Sequence, residues 1–185
     1  GALPDVGVYC LNAARHIFAA EPIAVQAMAS RPSADPRFAE IDAGLAVTLK
    51  FPGERLAQFF CSFGSGTSES IRVIGSSGEL VLDPAFKFDS ALRMTVCVEG
   101  SEKTTQFDPV DHFAGQVAYF SDCIATGVPP EADGEEGLAD MRALLAIDEA
   151  AQTGETVHLT PEPFKAGIRP EMLRSFAPTT KRLVL

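Results

Sequence analysis

Short runs of alternating apolar and polar residues, separated by turn residues, fill the chain between residues 43 and 107. Leu45, Val47 and Leu49 give the clearest alternation, and Pro52 and Gly53 follow them as a hairpin turn. A period of two residues is typical of a strand, because successive side chains of a strand point to opposite faces of the sheet. Six or seven such strands joined by short turns predict a largely antiparallel sheet.

Helical periodicity flanks this stretch on both sides. Apolar residues recur at helical spacing over residues 3–20, 113–124 and 135–152, and Gly127 and Gly154 follow the last two segments as stop signals. A helix, a run of strands and two further helices predict an α+β fold. We expect an open, largely antiparallel sheet with the helices packed on one face.

One predicted strand carries large apolar side chains on both faces, with Phe59 on one face and Leu56 and Phe60 on the other. The helices of this chain can cover only one face of an open sheet. Because an exposed apolar face of that size usually finds a partner, we expect a homodimer or higher oligomer through the sheet face. Residues 1–160 then form one α+β domain that oligomerises, and the proline-rich residues 161–185 form a C-terminal tail.

The charge balance argues against several classes of partner. The formal net charge is -10 and there is no basic stripe, so nucleic acid and anionic membrane surfaces are poor partners. No apolar run approaches the roughly 20 residues that span a membrane. The cysteines are far apart in the sequence and form no Cys-x-x-Cys pair, so we interpret them as small buried side chains of a cytoplasmic protein. They are Cys10, Cys61, Cys97 and Cys123.

The first predicted helix has an unusual polar face. Asp5, Tyr9, Asn12 and His16 are spaced by four, three and four residues, so at about 100° per residue they lie within roughly 60° of one another. A carboxylate, a phenol, an amide and an imidazole can orient a small polar ligand and exchange protons with it. Alternatively, Asp5 caps the helix, Tyr9 is half-buried in the core and His16 is structural. Spacing alone leaves both interpretations open.

Four stretches of this sequence resemble the C-terminal domain of the Gfo/Idh/MocA family, the glucose–fructose oxidoreductase-like dehydrogenases. The most specific is residues 1–9, GALPDVGVY, which is similar to the family's GGGxLxDxGxY/H stretch. The other three lie at residues 74–80, 113–124 and 134–153. Tyr9, followed by Cys10, Leu11 and Asn12, is most similar to the glucose–fructose oxidoreductase and dihydrodiol or xylose dehydrogenase branch, because inositol dehydrogenase-like members carry histidine there.

The resemblance implies a two-domain enzyme in which a Rossmann domain binds NAD or NADP. The domain of residues 1–160 would supply the substrate contacts and the oligomer interface. In the family a Lys-Pro motif of the first domain supplies a catalytic lysine, but no lysine of this chain matches that motif and no GxGxxG fingerprint occurs. The chain also begins almost directly in a helix, so we expect its Rossmann domain to be missing. The parent is then an NAD(P)-dependent dehydrogenase, whereas this chain alone binds no cofactor and does not turn over.

The resemblance also assigns roles to the polar stripe and implies a sugar, polyol or diol hydroxyl as the substrate. Tyr9 matches the family's proton-relaying position. A phenol in water has a pKa of about 10, so the ammonium of the missing lysine would be needed to lower it. Asp5 would hydrogen-bond a substrate hydroxyl or pair with that lysine. We predict Tyr9 and Asp5 as catalytic and Asn12 and His16 as substrate-binding, with no metal required.

Two other functions stay open at this point. The first is a non-catalytic module of the same fold that dimerises through its sheet face or senses a ligand. The second is a thiol enzyme, which is disfavoured because no cysteine lies at a loop-to-helix turn with a histidine assigned to it. The polar cluster of Asp108, Asp111 and His112 is predicted to cap the helix that follows it rather than to act in catalysis.

Overall fold

The computed structural model describes residues 1–165 and 167–178. They form two compact units, one from Gly1–Ser65 with Pro130–Ile168 and the other from Gly66–Pro129 with the residues from Arg169 onwards. Each unit contains one antiparallel four-stranded sheet. The predicted α+β class is confirmed, although strands expected in one sheet are divided between two. The predicted boundary at residue 160 stays a prediction, and residues 166 and 179–185 of the predicted tail lie outside the described residues.

The regular elements follow the sequence prediction closely in type and order. In chain order they are a π-helical turn (Leu3–Gly7), α1 (Val8–Phe18), β1 (Ala24–Ser30), β2 (Gly44–Phe51), β3 (Arg55–Ser62), β4 (Ile71–Ile74), β5 (Gly78–Leu82), β6 (Leu92–Val98), β7 (Ser101–Phe107), α2 (His112–Thr126), α3 (Gly134–Thr153) and β8 (Val157–His158). Short 3-10 turns occur at Pro36–Phe38 and Pro170–Met172.

The first unit is a sheet in the order β3-β2-β1-β8 with α1 and α3 against one face. In the register of this sheet, Val25 lies opposite Leu49 on one side and Val157 on the other. The side chains that fill the space between the helices and the sheet are almost wholly buried. They include Leu11, Val25, Leu49, Phe51 and Ile147. This apolar core holds α1 in place and therefore determines which of its residues face solvent.

The other face of this sheet carries an apolar row across three strands. Met28 of β1 lies opposite Ala46 of β2, which lies opposite Phe60 of β3. Met28 is 76% exposed and Phe60 is 60% exposed. The expectation that β3 carries large apolar side chains on both faces is therefore confirmed, and the second face is left open to solvent.

The second unit is a sheet in the order β4-β5-β6-β7, in which every strand pairs with its neighbour in the sequence. Its first strand is short, because only Ile71–Ile74 is extended in the segment before Gly75, and it pairs with β5 alone. Residues 66–70 offer no apolar alternation that could continue the first sheet. Tight turns favour local hairpins, and alternation by itself does not say where a new sheet begins.

Helix α2 of the second unit presents its apolar residues to solvent, not to a sheet as expected. Phe113, Val117, Phe120 and Ile124 are all exposed large side chains on this helix. The helix packs closely against the chain at Arg174. A β-carbon at Gly115 would lie 2.7 Å from the carbonyl oxygen of Arg174.

Candidate functional site

The predicted polar stripe lies at the N-terminal end of the first unit and faces solvent. Asp5 is in the π-helical turn, and Tyr9, Asn12 and His16 are in α1. Asp5, Tyr9 and His16 are exposed, with Tyr9 at 58%, whereas Asn12 is half-buried. Tyr9 is therefore not a core residue, and the phenol and the carboxylate predicted to be catalytic lie on an accessible surface.

The π-helical turn is the unusual feature of this helix. The N–H of Val8 donates to the carbonyl oxygen of Leu3, five residues back, where an α-helix would use the fourth. The turn therefore holds more residues than an α-helical turn, which moves Asp5 around the axis relative to the α-helical spacing assumed from the sequence. Single π turns are rare and frequently occur at functional sites.

Gly7 allows this turn to lie directly on the sheet. A β-carbon at Gly7 would be 3.0 Å from the Sγ of Cys61 and 3.1 Å from the Cδ1 of Leu3, which is tighter than most real contacts of a β-carbon. The glycine between Asp5 and Tyr9 is thus required by close packing of the turn on β3. That packing buries Leu3 and Gly7 and leaves Asp5 and Tyr9 exposed.

Behind the stripe lies a buried arginine that the sequence analysis missed. Arg15 is 1% exposed and binds Glu21 through two parallel contacts of 2.7 Å, from Nε and from a terminal guanidinium nitrogen. Its other terminal nitrogen donates to Glu136 at 2.7 Å and to Asp140 at 2.5 Å. Burial opposes the charge on Arg15, but the hydrogen bonds to Glu21 and Glu136 outweigh it and raise the pKa of the guanidinium above its usual range. The arginine therefore stays ionised and joins α1 to α3.

A signal for this residue was present in the sequence. Leu11, Arg15 and Phe18 are spaced by four and three residues, so the arginine stands in the apolar stripe of the helix. A charge at such a position is buried only when it is paired. The partners could not be found from periodicity, because Glu136 and Asp140 are more than 120 residues away in the sequence.

Asn12 belongs to the same network. Its Nδ2 donates to Oδ2 of Asp140 at 2.9 Å and to the carbonyl oxygen of Val8 at 3.1 Å, and its Oδ1 accepts from Arg15 at 3.4 Å. The amide is thus held by protein groups on both of its ends. Its predicted role in substrate binding stays a prediction.

His16 is exposed at the end of the stripe, where the chain returns after β8. A β-carbon at Gly167 would lie 2.6 Å from the Nδ1 of His16, so the backbone at Gly167 packs against the imidazole. Its role in substrate binding also stays a prediction.

The acidic residues before α2 and α3 act as helix caps. The side chain of Asp111 accepts from the N–H of Ala114 at 2.9 Å, so the predicted cap of α2 is confirmed. Asp133 accepts from the N–H groups of Glu135 and Glu136 and forms an ion pair with Lys165. The hydrogen bond from Lys165, with those from the backbone, lowers the pKa of the Asp133 carboxyl.

Two of the thiols are poorly suited to nucleophilic chemistry. Burial, with a smaller effect of Cys61, raises the pKa of Cys10 to about 11, and burial also raises the pKa of Cys61. Since the thiolate is the nucleophile, neither cysteine is activated at neutral pH, which argues against the thiol-enzyme alternative for this pair. All four cysteines are free thiols.

Two open pockets of the first unit are lined in part by α3. One of about 850 Å³ runs along α3 beside the chain that follows β8, and the other, of about 360 Å³, lies near Leu3 and Met141. Neither is lined by Asp5, Tyr9, Asn12 or His16. The stripe is thus an exposed surface that lines neither of these pockets. Among residues 1–165 and 167–178, no group of three or more acidic, cysteine or histidine side chains is placed to hold a metal ion. In the same residues, no helix is both long and apolar enough to cross a bilayer.

Comparison with known proteins identifies the class to which this α+β chain belongs. Residues 1–81, which include the π-helical turn, the stripe and the first four strands, match the profile of the GFO/IDH/MocA C-terminal domain. Relatives that match about 85% of the chain are named as a dehydrogenase and an oxidoreductase. The chain therefore belongs to the Gfo/Idh/MocA family of oxidoreductases, as its C-terminal domain.

Three relatives give this membership more detail. D-xylose 1-dehydrogenase (NADP(+)) of Haloarcula marismortui is 34% identical over 161 residues, which are 85% of this chain and 44% of that protein. D-xylose 1-dehydrogenase (NADP(+)) 2 of Haloferax volcanii is 33% identical over 86% of this chain and 48% of its own length. The crystal structure of aldose-aldose oxidoreductase from Caulobacter crescentus, complexed with glycerol, has a TM-score of 0.80 and 35% identity over 86% of this chain and 48% of that one. The chain thus spans about half the length of these relatives.

Proposed function

We propose that this chain is the substrate-side domain of an NAD(P)-dependent oxidoreductase that acts on a hydroxyl group of a sugar, polyol or diol. The observation that carries the proposal is the exposed pair of Asp5, in the π-helical turn, and Tyr9, in the first turn of α1, with Gly7 packed onto the sheet between them. Relatives named as sugar dehydrogenases and as an aldose-aldose oxidoreductase, 33% to 35% identical, support the substrate class.

In the proposed reaction Tyr9, as the phenolate, would take the proton of the substrate hydroxyl. A nicotinamide bound elsewhere in a longer protein would supply the acceptor for the hydride. A phenol acts as a base near neutral pH only if a cation stabilises its phenolate. Asp5 would accept a hydrogen bond from a second substrate hydroxyl or pair with that cation. Both residues lie on an exposed surface. Groups outside the stripe would therefore be needed to enclose the substrate.

The N-termini of α2 and α3 do not fit the phosphates of a dinucleotide. The first turns of α2 and α3, where phosphate would bind, are already occupied by the capping carboxylates of Asp111 and Asp133. Glu135 and Glu136 add negative charge to the first turn of α3. We therefore propose that NAD or NADP is held by another part of a longer protein.

We also propose that the open face of the first sheet forms a homodimer or higher oligomer. The apolar row of Met28, Ala46 and Phe60 is in register across three strands, so two copies could pack it face to face. The same face would serve the alternative function, a non-catalytic dimerisation or ligand-sensing module. The free thiols support a place in the reducing cytoplasm, which stays a prediction.

The experiment that tests the function compares the longer protein with this chain. The longer protein, expressed from its complete reading frame, should bind NADPH or NADH and reduce NAD(P)⁺ with at least one of a panel of aldoses, polyols and diols. This chain alone should do neither. A full-length protein that forms dimers but neither binds a nicotinamide nucleotide nor oxidises any member of the panel would favour the non-catalytic module.

A further inference from the structure

The contacts of Arg15 lead from the interior of the first unit to the peptide group next to Tyr9. Arg15 donates to Oδ1 of Asp140 at 2.5 Å, and the other oxygen of the same carboxylate accepts from Asn12 at 2.9 Å. Asn12 in turn donates to the carbonyl oxygen of Val8 at 3.1 Å. That carbonyl belongs to the peptide bond between Val8 and Tyr9, at the junction of the π-helical turn and α1.

Charge balance alone does not explain this arrangement. One carboxylate neutralises an arginine, and Glu21 already binds Arg15 through two parallel contacts of 2.7 Å. Asp140 is used differently from Glu21, since each of its oxygens binds a different residue of α1. The third carboxylate thus serves as a bridge between the guanidinium and the amide of Asn12.

We propose that Arg15 is a positioning residue for Tyr9. Through Asp140 and Asn12 it fixes the carbonyl of Val8, and with it the direction in which the first turn of α1 presents the phenol of Tyr9. The effect on catalysis rests on the proposed function, whereas the effect on the position of Tyr9 does not. Asn12, which the sequence places among the substrate contacts, then acts through Tyr9.

The first test is spectroscopic and needs no substrate. The chain contains two tyrosines and no tryptophan, so labelling with 3-fluorotyrosine gives two ¹⁹F resonances, which Tyr9→Phe assigns. Arg15→Lys keeps the charge but loses the two parallel contacts with Glu21. Asn12→Ala removes the side-chain hydrogen bonds to Asp140 and to the carbonyl oxygen of Val8. Both should shift or broaden the resonance of Tyr9 and leave that of Tyr119 unchanged. Arg142→Gln, which removes an exposed contact between α3 and Glu162, is the matched control and should move neither resonance.

The second test is kinetic and uses the full-length enzyme. Misplacement of a reacting group by about 1 Å can reduce turnover by a large factor, so Asn12→Ala and Arg15→Lys should lower kcat about 10- to 100-fold and change KM less than threefold. Arg142→Gln should leave both constants near those of the unchanged protein.

The outcomes separate positioning from the other roles. A raised KM in Asn12→Ala with an unchanged Tyr9 resonance would overturn the proposal and make Asn12 a direct substrate contact. Lower melting temperatures with unchanged Tyr9 resonances and kcat would make the network merely structural. If Arg15→Lys does not fold, Asn12→Ala decides alone, because Asn12 is half-buried and leaves Arg15 its three carboxylates. If the full-length protein shows no turnover, the proposed function fails and the spectroscopic test still stands.

Discussion

Asn12 and Asp140 are 128 positions apart in the sequence and are joined by a hydrogen bond of 2.9 Å between Nδ2 and Oδ2. The bond connects α1, which carries Tyr9, to α3, which lies much later in the sequence of the first unit. Through Arg15 the same carboxylate shares a cation with Glu21 and Glu136. The surface that carries Tyr9 is thus supported by a helix that periodicity alone would assign only to the core.

Replacement of Tyr9 by phenylalanine should separate catalysis from folding. Because the ring is 58% exposed, loss of the hydroxyl should change the free energy of unfolding of this chain by less than about 0.5 kcal/mol. In the full-length enzyme kcat should fall at least about 100-fold, the typical contribution of a positioned acid or base. Steady-state kinetics and thermal unfolding measure the two effects. Tyr119→Phe is the matched control, and equal losses of kcat in both variants would rule out a special role for Tyr9.

Replacement of Gly7 by alanine should destabilise the first unit. The new methyl group would lie 3.0 Å from the Sγ of Cys61, so the turn or β3 must shift, at a cost of about 1–3 kcal/mol. Gly137 lies in α3 with nothing within 4 Å of a β-carbon, so Gly137→Ala should stabilise by up to about 1 kcal/mol. Urea denaturation measures both. A Gly7→Ala variant as stable as the unchanged chain would show that the close approach is not required.

The stability of the chain should fall in alkali through Cys10. Its pKa is raised to about 11, so the folded state holds the thiol proton more tightly than the unfolded state, in which a thiol has a pKa of about 8.5. The contribution of the thiol is fully present below about pH 8.5 and is lost as the pH rises towards 11. Denaturation between pH 7.5 and 10.5 should therefore show a smaller loss of stability for Cys10→Ala than for the unchanged chain. A Cys97→Ala variant controls for removal of a thiol, and parallel curves for all three proteins would contradict the prediction.

A charge on the open sheet face should prevent the proposed self-association. Phe60→Lys places an ammonium in the apolar row beside Ala46, where two like charges would face each other in a symmetric dimer. Analytical ultracentrifugation should then find a monomer where the unchanged chain is dimeric. Ile17→Lys alters an exposed apolar residue of α1, on the side of the sheet that carries the helices. It should leave the dimer intact, and a monomeric unchanged chain would refute the interface.

Most of the elements could be predicted because they depend on local sequence. The pairing of distant segments could not be predicted in this way. The alternation of Leu45, Val47 and Leu49 and the stop at Gly154 depend on neighbours in the sequence, and each marks an element that the structure contains. The division of the strands into two sheets depends on which edges meet, which alternation does not encode. The exposed face of α2 is a third case, because periodicity identifies an apolar face without naming what covers it.

The candidate site divides in the same way. The spacing and the motif of Asp5 and Tyr9 predicted that they share one face of a helix, while the π-helical turn that contains Asp5 was not foreseen. Arg15 escaped notice because its partners come from α3 and from the loop at Glu21. The contact of Gly7 with Cys61 could likewise not be predicted without knowing that β3 lies against the π-helical turn.

The pairing of β1 with β8 has a consequence for synthesis of the protein on the ribosome. Val25 meets Val157, and Ala24 meets His158, so one edge of the first sheet is completed by residues made more than 130 positions later. At about 5–20 residues per second, β1 therefore waits on the order of ten seconds with an unpaired edge. During that interval the edge can pair with another nascent chain. The second sheet, made entirely of neighbouring hairpins, is complete before the last strand of the first emerges.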